Sequence, residues 1–113
     1  MVVEEELSDH EVDRIFHALA DATRRDILRR TLVDGSSVSE LADAYAMSFA
    51  AVQKHVAVLE GAGLVTKEPR GRERIVRGDP ATVARAQTLL DSYADLWRSR
   101  IERLDALLAD DPS

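Results

Sequence analysis

A mainly α-helical fold with one small β-hairpin and a long terminal helix is predicted by three observations. Helix-start signals recur along the chain. The apolar period turns strand-like only between Leu64 and Gly78, and a heptad stripe runs from Leu90 to Leu108. The 113 residues make one domain the natural expectation, with enough chain for a modest core. Aromatic residues are few (Phe16, Tyr45, Phe49, Tyr93 and Trp97), so aliphatic side chains must do most of the burying.

The first helix is expected from Ser8 to about Ala20. Ser8 and Glu11 have capping-box spacing, and Val12, Ile15, Phe16 and Leu19 share a face. Asp21 or Thr23 starts the second helix, with Ile27, Leu28 and Leu32 on its buried side. Arg24, Arg25, Arg29 and Arg30 are expected to face solvent. Asp34-Gly35-Ser36 ends it, glycine supplying the positive φ of a helix stop. Ser37 and Glu40 open a third helix that places Val38, Leu41, Ala42 and Tyr45 at i, i+3, i+4 and i+7. Ala46-Met47 is a very short connection, after which Ser48 caps a fourth helix with Val52, Val56 and Leu59 inward. Two short helices so joined, the second more basic, describe a helix-turn-helix over residues 37–61.

Gly61 and Gly63 punctuate its end. Strand-like runs Leu64–Lys67 and Arg74–Arg77 flank Pro69-Arg70-Gly71-Arg72, a hairpin with a basic tip spanning 64–78. Asp79-Pro80 supplies a cap and a proline at the first helical position. The last helix is expected over 80–109, a rod of roughly 45 Å. Leu90, Ala94, Trp97, Ile101, Leu104 and Leu108 make its seam. A domain this small does not cover such a stripe alone, so the seam predicts a homodimer, with Val12 and Phe16 of the first helix joining the interface. An acidic arm (1–7), a DNA-binding domain (8–109) and a short tail (110–113) complete the expected organisation.

The net charge of −6 at first argues against a nucleic-acid partner, but its distribution matters more. Residues 48–78 hold six bases, Lys54, Lys67, Arg70, Arg72, Arg74 and Arg77, against Glu60, Glu68 and Glu73. That stretch is net +3 and the remainder −9. With no cysteine, disulfides, thiolate metal sites and thiol redox switches are excluded. No apolar run reaches the roughly 18 residues of a membrane span, and the acidic N-terminus is unlike a signal peptide. A cytoplasmic location, with no membrane partner, is expected.

The element order matches a winged helix-turn-helix with a long terminal dimerisation helix. The residues resemble the ArsR family of bacterial transcriptional repressors, in "LADATRRDIL", in "SVSELADAYAMSFAAVQKHVAVLEGAGLV" and in "RGRERIVRGDP". The likeness covers roughly Val12 to Leu108. It implies a homodimer that binds an imperfect palindrome in double-stranded DNA at a promoter and usually represses. It also implies release by a metal or an unidentified small-molecule effector in many members. The family's Cys-x-Cys site falls here on Ser37-Val38-Ser39, and neither serine is a credible soft-metal ligand. The last helix has Asp91, Asp95, Glu102 and Asp105 but no histidine. No metal and no cofactor is therefore expected. Ile75 and Val76 stand where the family often has aromatics, and Gly78 where it often has leucine, which predicts a looser hairpin end.

The expected DNA-contact residues are Ser48, Ala50, Ala51, Gln53, Lys54 and His55 on the fourth helix, and Arg70, Arg72 and Arg74 on the hairpin. At 100° per residue Lys54 lies nearly opposite the core stripe, flanked by Ala50 and Ala57. Alanine methyls allow close approach and pack on thymine methyls, Gln53 suits adenine, and Lys54 suits a phosphate or guanine. Ser48 at a helix start can serve a phosphate. If a dimer neutralises about six phosphates, affinity falls about 10³-fold between 50 and 200 mM salt. Phe49 is expected to pack on the core flank, and His10 and His17 to be plain surface histidines. A protein-interaction module without specific DNA binding is the alternative reading. An enzyme is disfavoured, because no nucleophile–base set, phosphate-cradling loop or metal motif is present.

Overall fold

The computed structural model describes residues 6–109; residues 1–5 of the expected acidic arm and the tail 110–113 lie outside it. The elements run α1 (Asp9–Leu19), α2 (Ala22–Val33), β1 (Ser36–Ser37), α3 (Val38–Tyr45), α4 (Phe49–Gly61), β2 (Val65–Arg70), β3 (Glu73–Gly78) and α5 (Pro80–Ala109). The three strands form one antiparallel sheet in the order β1-β3-β2.

Polar caps fix where the helices begin. The Ser8 and Ser37 hydroxyls each accept from the backbone N–H three residues on, while Glu11 and Glu40 reach back to accept from the cap N–H. Of the two candidate starts of α2, Asp21 is the one used; it accepts from Arg24 N at 3.0 Å. Leu7, expected to lie in a solvated arm, is half-buried against the core. Its spacing to Val12 is that of a hydrophobic staple across the Ser8 cap.

The core is aliphatic, as the scarcity of aromatics requires. Ile15, Ile27, Leu41, Val52, Val56, Leu59, Leu64, Val65 and Val76 are at most 2 % exposed, and each such burial stabilises by about 1.5–3 kcal/mol. The helix-turn-helix closes through Ala46, a non-glycine residue at φ 53. Its N–H reaches the Ala42 and Asp43 carbonyls, and Met47 N–H reaches Ala42 O, offsetting a left-handed cost of roughly 1–2 kcal/mol.

Several expectations are corrected. Gly35 does not end α2 in a left-handed turn, since α2 ends on extended Asp34. Gly35 is needed for space: a Cβ there would lie 2.7 Å from Ile75 Cγ2. That close approach lets Ser36 and Ser37 pair with Val76 and Ile75 as a third strand, which no local signal in the sequence marks. Leu32 is 41 % exposed, and Thr31 is buried in its place, its hydroxyl donating to Ile27 O at 2.8 Å. Gly78 does not loosen the hairpin. It pairs with Val65, and any Cβ would stand 2.7 Å from Leu32, so a leucine here would collide with α2. The strands are longer than expected and meet at a two-residue turn, Gly71-Arg72. Gly71 has φ +62, the positive value that the first central position of a type II′ hairpin requires.

Two arginines expected in solvent also hold the fold. Arg24 Nε donates to Ala18 O (2.8 Å), its Nη2 to His17 O (3.2 Å), and Arg25 Nη1 to Leu19 O (2.7 Å). Both cap the open carbonyl end of α1 with positive charge, where the helix dipole favours it. Arg29 and Arg30 lie on the outer side of α2 and pair with Asp26.

Asp26 also accepts from the Tyr45 hydroxyl, and the Arg30 guanidinium sits 5.1 Å from the Tyr45 ring centroid, which ties α2 to α3. Tyr45, Arg30 and Arg29, in that order, hold the Asp26 carboxyl well below its usual range. Burial first, then the bond to Asp26, pushes the Tyr45 phenol up to about 12. The Asp26 contribution to stability is therefore complete above about pH 4 and lost as pH falls from there toward the depressed value. The Tyr45 contribution is complete below about pH 10 and lost as pH rises through about 12. Urea midpoints measured against pH should show a plateau between these limits. In Tyr45→Phe the alkaline decline should be shallower than in the parent chain.

Nearly all of α5 stands clear of the body. Only Thr82 and Ala86 on it are buried, and every residue from Leu90 to Ala109 is exposed. The radius of gyration is 19.7 Å and the longest extent 74 Å, where a compact domain of this size has a radius of about 13 Å.

Candidate nucleic-acid interface

The α4 helix is held by one face and open on the other. Val52, Val56 and Leu59 are 0 % exposed, while Ala50, Gln53, Lys54 and Ala57 are exposed. The Ser48 hydroxyl accepts from Ala51 N at 3.1 Å. A hydroxyl both donates and accepts, so its O–H remains available to an acceptor in front of the helix. Ala51 is half-buried on the flank. Nothing larger than Lys54 or Gln53 projects from the outward face beyond the first turn, so the helix backbone can come close to a surface it meets.

Charge pairing sorts the bases into two sets. Lys67 pairs with Glu60 at 3.4 Å and Arg77 with Glu68 at 2.6 Å. Among the described residues, Lys54, Arg70, Arg72 and Arg74 have no acidic partner within 4.0 Å, and all four are exposed. Within residues 48–78 the unpaired positive charge lies on the outer face of α4 and at the hairpin tip. A groove of about 390 Å³ joins these elements, lined by Ser39, Phe49, Gln53, Arg72 and Arg74 among others.

Two residues sit differently from expectation. Phe49 does not pack away on the core flank; it is 49 % exposed and lines that groove. The His55 ring is turned toward α2, with Nδ1 3.3 Å from Arg24 Nη1 and 3.9 Å from Asp21 Oδ2. It buttresses α4 against the α1–α2 junction, and its side chain is only 21 % exposed. A helical wheel places His55 at the edge of the outward face, and only the three-dimensional contact with Arg24 shows which way it leans.

The family model described as a helix-turn-helix domain matches residues 19–68. The HTH-type transcriptional regulator Rv2034 of Mycobacterium tuberculosis is 41 % identical over 81 residues, spanning 72 % of this chain and 76 % of that protein. Among solved structures, an ArsR-like transcriptional regulator from Rhodococcus sp. RHA1 superposes with a TM-score of 0.77 at 30 % identity, over 87 % of this chain and 92 % of that one. The chain belongs to the ArsR family of winged helix-turn-helix transcriptional regulators. The homodimeric winged helix-turn-helix DNA-binding domain Mb0332 from Mycobacterium bovis superposes with a TM-score of 0.63 at 27 % identity, over 84 % and 91 %.

This ArsR-family member is accordingly a DNA-binding transcriptional regulator, with α3–α4 as its helix-turn-helix and β2–β3 as its wing. A metal ion does not fit at the start of α3. Ser37 is 2 % exposed and its hydroxyl is committed to the Glu40 N–H, and the chain holds no cysteine. Within the described residues no helix is long and apolar enough to cross a membrane. The seam residues Leu90, Trp97, Ile101, Leu104 and Leu108 are 38–75 % exposed. Ala94 and, on α1, Phe16 are exposed as well, while Val12 is half-buried.

Proposed function

We propose that this regulator is a cytoplasmic homodimeric repressor that binds an imperfect palindrome in a promoter. The outer face of α4 would enter the major groove and the wing would lie along the neighbouring backbone or minor groove. The observation that carries this reading is the set of four exposed cations without an acidic partner among the described residues, Lys54, Arg70, Arg72 and Arg74, on two adjacent elements of a chain whose net charge is −6. Ser48, Ala50 and Gln53 complete the contact surface, with Ala51 and His55 supporting it from the flank. The exposed α5 seam supplies the second copy, and two reading helices in a dimer address half-sites about one turn, roughly 34 Å, apart.

Titration of the purified protein into its own promoter DNA at several salt concentrations tests the proposal. Log affinity should fall linearly with log salt, with a slope of about −5 for six neutralised phosphates and about −7 for all eight cations of a dimer. A flat salt dependence would overturn it. Weak affinity indifferent to sequence would instead favour a winged helix that docks on proteins.

A further inference from the structure

Phe49 is the one exposed large hydrophobic residue between Asp34 and Leu89. The others lie on α1, at the end of α2, and on α5. Its exposure is not forced by the fold, since α4 is anchored through Val52, Val56 and Leu59, one to three turns further in. It occupies the first position of α4, directly after the Ser48 cap. The first turn of a reading helix is the part that reaches base edges. The groove that it lines also takes in Ser39, Gln53, Lys67, Arg72, Glu73 and Arg74, three bases against one acid. An aromatic side chain beside an amide and a net positive lining suits a surface that is apolar at one point and anionic around it. A DNA major groove is such a surface at a thymine, whose 5-methyl group stands out between phosphate walls.

We infer that Phe49 is a specificity-determining residue of this interface, packing on the 5-methyl group of a thymine in each half-site while the adjacent arginines hold the flanking phosphates. The inference rests on the DNA-reading role proposed above. The methyl is a single apolar group, worth about four-fold in affinity per half-site and about fifteen-fold when both half-sites lose it.

The probe is duplex DNA selected by the purified protein from a random-sequence pool, remade with deoxyuridine in place of each thymine in turn. Deoxyuridine removes the methyl and leaves the hydrogen-bonding edge intact. One thymine per half-site should show the penalty with the parent chain and none with Phe49→Ala. Phe49→Leu, which keeps an apolar side chain, should restore part of it. Equal urea midpoints for the three proteins establish that α4 remains in place. A deoxyuridine penalty undiminished in Phe49→Ala would overturn the inference and assign the methyl to another group, such as Ala50. Sequence-selective binding with no penalty at any thymine would overturn it while leaving the DNA-reading role intact. Absence of any sequence selectivity would overturn both.

Discussion

A chain carrying Ile101→Glu and Leu104→Glu is expected to remain folded, to behave as a monomer in sedimentation, and to bind its operator about 10²–10⁴-fold more weakly. Both residues lie in the stretch of α5 from Leu90 to Ala109 in which every residue is exposed, and they are 38 % and 48 % exposed themselves. Their replacement removes no core contact, so the urea midpoint extrapolated to low protein concentration should hold. In the proposed dimer the same positions would face their symmetry mates, and the double variant would place four carboxylates in one apolar seam. Burial of unpaired charge is prohibitive there. The DNA loss follows from linkage: two half-sites held by one body gain about 10²–10⁴ over either alone. The salt slope supplies a second check, because a monomer contacting one half-site should show about half the slope of the dimer. A double variant that stays dimeric would exclude the seam as the interface.

The helices were legible in the sequence because their signals are local. Ser8 with Glu11, Ser37 with Glu40, Ser48 alone, and Asp79-Pro80 mark starts within three residues of themselves, and α5 begins at the proline its pattern predicted. Features that depend on distant partners were not. β1 is two residues long and exists only because β3, nearly forty residues later, lies alongside it. Gly35 reads as a helix stop and Gly78 as a loosened hairpin end, yet each is small because another element passes within van der Waals range. Arg24 and Arg25 belong to a cluster whose composition looks solvated, and their partners are carbonyls of the preceding helix. The proposed reading face shows the same division. Its charge pattern is sequential and was visible. The sorting of its six bases into four unpaired and two paired, among the described residues, depends on cross-element contacts to Glu60 and Glu68.

That sorting makes Lys54 the most informative single site. Lys54→Glu is expected to lower operator affinity by about 10²–10⁴-fold, as contacts of about 1–3 kcal/mol are lost in both subunits and replaced by repulsion. Arg72→Ala, at the tip of the wing, should cost less and act evenly on all sequences. Phosphate contacts position a protein without reading bases. Because each subunit contributes one contact, either variant should make the salt slope shallower by about 2. Neither should change the urea midpoint, since both side chains are exposed and neither has an acidic partner among the described residues. The paired bases give the contrast. Lys67→Ala and Arg77→Ala remove cations already neutralised by Glu60 and Glu68, so they should alter the salt slope far less. If all four variants weakened binding alike, affinity would depend on net charge and not on placement. If Lys54→Glu and Arg72→Ala both bound like the parent chain, the interface would have to lie elsewhere than on α4 and the wing.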